Sequence, residues 1–168
     1  MNDFAPLDVL LYAHDGRGLG HASRSIGIGM ALRRLYPHLR VLFVTGCKIS
    51  QELISTAPLD WLKLPSYETC VHQGKSIGVT GLSNYSDKTL GMIRSQQIQQ
   101  IISTYKPRIV LADHSPLGKH KELSPTVEKS HKRGTKWVLG VRGVVGSVSQ
   151  VVSDKAVNMF KKGYSDLL

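Results

Sequence analysis

Two short stretches hold the residue types that acid–base or anion chemistry needs. The first is Gly16-Arg-Gly-Leu-Gly20-His21-x-x-Arg24, and the second is Asp113-His114-Ser-Pro-Leu-Gly118. Glycines between a strand and a helix let backbone approach a ligand, and the free N–H groups of the helix start face an anion. Residues three or four apart share a helix face, so His21, Arg24 and Ser25 are expected together on the first turn. A histidine and an arginine at that positive helix end suit a phosphate or a sugar hydroxyl. A carboxylate at position 113, facing the same crevice, would orient a hydroxyl, accept its proton or fix a histidine tautomer. His14 and Asp15, just before the first stretch, are weaker candidates, each as well explained by a turn-forming role. The competing readings are a tight turn with a solvent-exposed histidine and an aspartate that caps the next turn.

Neither stretch is a familiar nucleotide motif. In G-x-G-x-x-G, with Gly16 and Gly18 as the first two glycines, His21 takes the third glycine's place. The second strand ends in Thr45-Gly46, with no acidic residue for a ribose. No Gly-Lys-Ser/Thr follows at phosphate-loop spacing. Cys47 and Cys70 form no disulfide framework and no metal spacing. His72, His120 and His131 show no ligand spacing and read as surface residues. No metal site is expected.

The elements that would position these residues alternate along the chain. Leu7–Ala13 is a nearly continuous apolar run, as in a strand buried on both faces. Ala22–Tyr36 has helical spacing and stops at Pro37. Strands are predicted at Arg40–Thr45, Trp61–Leu64, Arg108–Ala112 and Lys136–Val141. Helices are predicted at Ile49–Thr56, Asp87–Tyr105, Glu122–His131 (with Pro125 in its first turn) and Val148–Lys162. From Pro65 to Ser86 the periodicity lapses, and a structureless, mobile loop is expected. The alternation predicts one α/β domain over residues 1–168, a three-layer Rossmann-like fold with a mostly parallel sheet in the order 3-2-1-4-5. Ligands of such sheets bind beyond the C-terminal strand ends, at the switch point between the first and fourth strands. That geometry selects the turns after Ala13 and after Ala112.

Composition excludes more than it identifies. Of the 168 residues 41% are hydrophobic and 20% charged, which argues against disorder and against fibrous repeats. No apolar run approaches the ~20 residues of a membrane span. The start Met-Asn-Asp-Phe-Ala-Pro has no basic region ahead of a cleavable apolar stretch, so a cytoplasmic location is expected. Charge is the outlier, with 22 Lys and Arg against 12 Asp and Glu, a formal +10. Such an excess attracts polyanions. With 7% aromatic residues and no RNP-like or zinc-finger pattern, nucleic acid is a poor candidate. Solvated basic faces account for most of the excess, and peripheral attachment to an anionic membrane surface, without insertion, is expected of the rest.

Gly18-x-Gly-His-x-x-Arg24 after the first strand resembles the opening of GT-B glycosyltransferases. The similarity is to the group of predicted glycosyltransferases related to the peptidoglycan lipid-intermediate GlcNAc transferase (family 28-like). It recurs in Lys63-Leu-Pro-Ser66, in Lys106-Pro107, in Asp113-His-x-Pro-Leu-Gly118 followed by Glu122-Leu123, and more weakly in Leu139-Gly-Val-Arg142. The resemblance implies the N-terminal, acceptor-side half of the fold, with a C-terminal donor-binding domain absent from this chain. It implies transfer of a sugar from a nucleotide-sugar donor to an acceptor hydroxyl, with inversion and without metal or other cofactor. His21 and Asp113 would be catalytic. Gly16, Gly18, Gly20, Arg24, His14 and His114 would bind phosphate or acceptor. Gly143 stands where the pattern carries aspartate, so no role falls there. The alternative is a non-catalytic α/β module that binds a phosphorylated or polyanionic ligand.

Overall fold

The computed structural model describes residues 5–14, 19–72, 75–80 and 83–140. The helix expected at Val148–Lys162 lies outside them, as do Gly16, Gly18, Arg142 and Gly143.

A five-stranded parallel sheet forms the centre, built from β1 (Val9–Ala13), β2 (Val41–Thr45), β3 (Asp60–Lys63), β6 (Ile109–Asp113) and β7 (Lys136–Gly140). Its order is β3-β2-β1-β6-β7, the 3-2-1-4-5 arrangement predicted from the alternation. Every residue of β1 and β2 is buried, because helices cover both faces. One layer contains α1 (Gly20–Leu35) and α2 (Ser50–Ile54), whose Ala22, Ile26 and Ile54 pack on Val9, Leu11 and Phe43. On the other face α3 (Asp87–Tyr105) and α4 (Ser124–His131) bring Ile98, Ile102 and Val127 against Leu10, Val110 and Trp137. On the first face Gly29 permits close packing of α1, since an added Cβ would lie 2.9 Å from both Leu11 and Leu59.

The expectation of a structureless loop from Pro65 to Ser86 is overturned. An antiparallel pair occupies it, β4 (Glu68–His72) with β5 (Lys75–Val79), in a register that sets His72 opposite Lys75. The β-branched Thr69, Val71, Ile77 and Val79 favour extended backbone. Gly74, Gly78 and Gly81 mask that preference when the stretch is read for apolar periodicity. The following helix starts where predicted, because the Ser86 hydroxyl accepts from the Thr89 N–H at 3.2 Å.

Candidate functional site

The site lies where β1 and β6 run side by side and the chain leaves their C-terminal ends in opposite directions. Ala13 pairs with Asp113 across the sheet, so His14 and His114 emerge next to each other. Helix α1 begins at Gly20, which puts His21 in its first turn. There the His21 Nδ1–H donates to Asp113 Oδ2 at 2.5 Å. A carboxylate accepts here, so Nδ1 carries the proton in this contact, and in the neutral tautomer of the ring the lone pair then lies on Nε2. Asp113 is 1% exposed and His21 7%, so the dyad is nearly dry on the protein side. The alternative of a solvent-exposed histidine therefore fails. Asp113 also caps no turn with its side chain among the described contacts.

Arg24, one turn further along α1, brings Nη1 to 3.3 Å from Asp113 Oδ1. That oxygen has no aligned hydrogen bond, so the contact is one of charge. The guanidinium is more than a third exposed and reaches in from the rim. Ser25, expected on the same face, is fully buried with an unpartnered hydroxyl, and so turns inward rather than to the crevice.

Two further imidazoles, those of His14 and His114, meet His21 at the dyad. The His21 and His114 rings stack at 5.4 Å with 16° between planes, and His14 lies 4.6 Å from His21. Burial, reinforced by the His21 and His114 rings, pushes the His14 imidazole down to about 4. Its Nδ1 is buried and makes no hydrogen bond. His114 sits at φ 64° in a three-residue turn closed by Ser115 N–H to Asp113 O at 2.7 Å. Left-handed backbone at a non-glycine residue costs energy and concentrates at functional sites. Among the described residues no group of three or more His, Cys, Asp or Glu is arranged to hold a metal ion. A Cβ on Gly20 would meet nothing within 4 Å among the described residues, so none of them demands glycine there.

Sequence reasoning missed the support behind this site. Glu122 and Arg94 are fully buried and joined by two hydrogen bonds, Nε to Oε2 at 2.7 Å and Nη2 to Oε1 at 2.8 Å. Tyr67 donates to Glu122 Oε2 at 2.8 Å, Tyr12 donates to Oε1, and Arg94 Nη1 donates to Pro65 O at 2.7 Å. The network ties β1, the turn before β4, α3 and the segment after β6 together. Gly118, at φ 70°, passes so close that a Cβ would lie 2.8 Å from Tyr12 Oη. The role of Gly140 was missed as well, since a Cβ there would sit 3.2 Å from Asp113 Oδ1. Glu122 was visible only as part of a family-like string, and Arg94, 28 positions away, carried no local signal. The Ser66 of Lys63-Leu-Pro-Ser66 donates to Gly46 O at 2.6 Å and receives Lys63 Nζ at 2.7 Å, closing the strand ends beside the site. His72, His120 and His131 are exposed, as read.

No protein-family model matches the chain, and no curated protein matches it in sequence. Its frame nevertheless superposes on solved structures. A putative UDP-N-acetylglucosamine 2-epimerase from Listeria monocytogenes is similar at TM-score 0.54 and 11% identity, over 96% of this chain and 38% of that one. A glycosyltransferase from Rickettsia africae is similar at TM-score 0.51 and 10% identity, over 98% and 41%. TubZ of Clostridium botulinum phage c-st reaches 0.50 at 14% identity, over 92% and 48%. At such identities the likeness is one of fold, and the chain spans less than half the length of each. The chain is an α/β Rossmann-like domain.

Proposed function

We propose that this domain is the acceptor-binding half of a glycosyltransferase related to the family 28-like group. It works with a nucleotide-sugar donor held by a second domain or a partner subunit. The His21–Asp113 pair at 2.5 Å, at the switch point of the sheet, is the observation that carries the reading. With Nδ1–H held by the carboxylate, Nε2 takes the proton of the acceptor hydroxyl as its oxygen attacks the anomeric carbon. The bond from that carbon to the donor phosphate breaks, and the nucleoside diphosphate leaves with inversion. Asp113 orients the ring and stabilises the imidazolium as it forms. Arg24 and the Gly16–Gly20 amides supply positive potential for phosphate, while His14 and His114 offer ring nitrogens for hydrogen bonds to phosphate or acceptor. The chemistry requires no metal, because Arg24 and the helix start offset the developing charge.

The test is a transferase assay on the chain combined with its donor-binding half, following nucleoside diphosphate release from a panel of nucleotide sugars. The chain alone should turn over little or nothing, since donor and acceptor are not held together. His21→Ala should cost about 10²–10⁴-fold in rate. Unchanged rates in that variant remove His21 as the base. No transfer in any combination, with phosphate binding that still depends on Arg24 and His14, leaves the domain a non-catalytic module for a phosphorylated ligand.

A further inference from the structure

Helix α3 carries polar side chains that the fold does not use. Among the described residues, none pairs or hydrogen-bonds with the side chains of Lys88, Ser95, Gln96 or Gln99. The same is true of Lys121, in the turn that faces them. All five line one open groove of about 780 Å3, closed on its far side by His120 and Pro125. The groove lies in the α3–α4 layer, and none of His14, His21, Arg24, Asp113 and His114 lines it.

The groove is formed before any ligand arrives. His120 and Lys121 adjoin Glu122, whose buried carboxylate accepts from Arg94, Tyr67 and Tyr12 and so fixes that wall. The His120 ring lies 5.0 Å from the Tyr67 ring, and its Nε2 lies 3.2 Å from Asp87 Oδ2, which ties one wall to the other. A fixed wall spares a ligand the cost of ordering it. Gly91 of α3 also lines the groove. An added Cβ would lie 3.4 Å from His120 Cβ and from Tyr67 Oη, an ordinary contact. Alanine is the better helix former, so neither packing nor propensity accounts for a glycine inside α3. The space it leaves belongs to the groove.

The lining is mixed both in charge and in hydrogen-bonding sense. Lys88 and Lys121 donate, Asp87 accepts, and Ser95, Gln96 and Gln99 do both. Met92, which is 54% exposed, and Pro125 add apolar surface. Sugar hydroxyls also donate and accept, and a sugar ring carries an apolar C–H face. An anion would meet the Asp87 carboxylate as well as the lysines. An acyl chain would find little beyond Met92 and Pro125. A peptide helix or strand anchors its side chains in apolar pockets, and this lining offers none. From this combination we infer that the α3–α4 groove binds an uncharged oligosaccharide. Its volume lies in the range of small-molecule sites, which suits a short one. The inference does not depend on the reaction proposed above.

Amide proton–nitrogen correlation spectra of the full chain, titrated with cellotriose, maltotriose and mannotriose, test it. At least one of these sugars should shift the amides of Gly91, Ser95, Gln99 and Lys121 in a saturable way. Gln96→Ala/Gln99→Ala should weaken that binding by about tenfold, at a modest hydrogen bond per amide. Gln97→Ala/Gln100→Ala removes two amides from the same helix outside the groove and should leave binding as it is. Gly91→Ala should keep or raise the melting temperature while lowering affinity several-fold, a combination that loss of structure does not produce. Arg24→Ala, a change in the cleft, should not alter the response. The absence of saturable shifts with all three sugars would overturn the proposal, and so would equal losses in the two glutamine pairs. Shifts confined to Gly20, His21 and His114 would overturn it by putting the sugar in the cleft. Competition by inorganic phosphate would do so by making the groove an anion site.

Discussion

His21 and Asp113 are 92 positions apart in the chain, yet His21 Nδ1 and Asp113 Oδ2 stand 2.5 Å apart in the fold. The contact locks the first turn of α1 to the end of β6, and it makes the pair structural as well as chemical. Because His21 is buried, its removal is not the mild surface change that an exposed position would allow. Loss of one partner leaves a buried carboxylate short of a donor, at about 1–3 kcal/mol. His21→Ala should therefore lower the melting temperature measurably, and Asp113→Asn somewhat less, because the amide keeps the shape. Unchanged thermal melts in both variants would show that the contact adds nothing to stability.

The depressed His14 gives stability a pH dependence of definite sign. Unfolded, the imidazole titrates near its ordinary 6.5; folded, it titrates at about 4. Between those values the unfolded chain binds the extra proton, so acidification favours unfolding. The contribution is fully present above about pH 6.5 and falls away towards pH 4, amounting to up to about 3 kcal/mol. Melting temperature against pH should fall over that window in the parent chain and fall less in His14→Gln. Parallel curves would refute the assignment.

Glu122 and Arg94 should be among the least replaceable residues. Removing one partner of a buried, hydrogen-bonded ion pair costs about 3–5 kcal/mol, because the other charge stays behind. Glu122→Ala and Arg94→Ala should each unfold the domain or lower its denaturant midpoint strongly. Tyr67→Phe removes one hydrogen bond and should cost about 1 kcal/mol. Urea unfolding distinguishes these magnitudes.

Gly118→Ala should destabilise for two separable reasons. Its φ of 70° disfavours any Cβ, and that Cβ would meet Tyr12 Oη at 2.8 Å. Tyr12→Phe removes that contact but also the Tyr12–Glu122 hydrogen bond, and it leaves the backbone cost and the 3.0 Å approaches to Glu122 Cγ and Leu123 Cγ. In a double-mutant cycle in urea the double variant should therefore lose less than the sum of the two single losses, and strict additivity would show that the Tyr12 Oη contact adds nothing.

The β4–β5 hairpin should exchange its amides faster than β1. A two-stranded ribbon has unpaired edges on both sides, whereas β1 is flanked by β2 and β6. Hydrogen exchange showing equal protection in the two would mean that the hairpin is held by more than its own pairing.

Much of the fold was legible in local pattern. Buried parallel strands are short apolar runs, helices repeat at 3.6 residues, and right-handed crossovers leave few orders for five such strands. Leu7–Ala13, Arg40–Thr45 and Asp87–Tyr105 could therefore be read from residue types alone, and the switch point after β1 and β6 followed. That Gly20–His21 and Asp113–His114 flank one crevice was legible for the same reason. The hairpin was not, because three glycines and several polar residues obscured a strand preference that only pairing realises.

Tertiary structure alone decided which side chains meet. Nothing in the chain order says that His21 is buried, that Ser25 turns inward, or that Arg94 reaches Glu122. Those outcomes depend on the rotation of α1 and α3 about their axes, which is set by packing across the whole sheet. Likewise +10 was countable from composition, but which cations meet a carboxylate, as Arg24 meets Asp113, was not. Local periodicity is a property of neighbours in the chain. Burial, pairing and surface potential are properties of neighbours in space, and they exist only once the layers have closed.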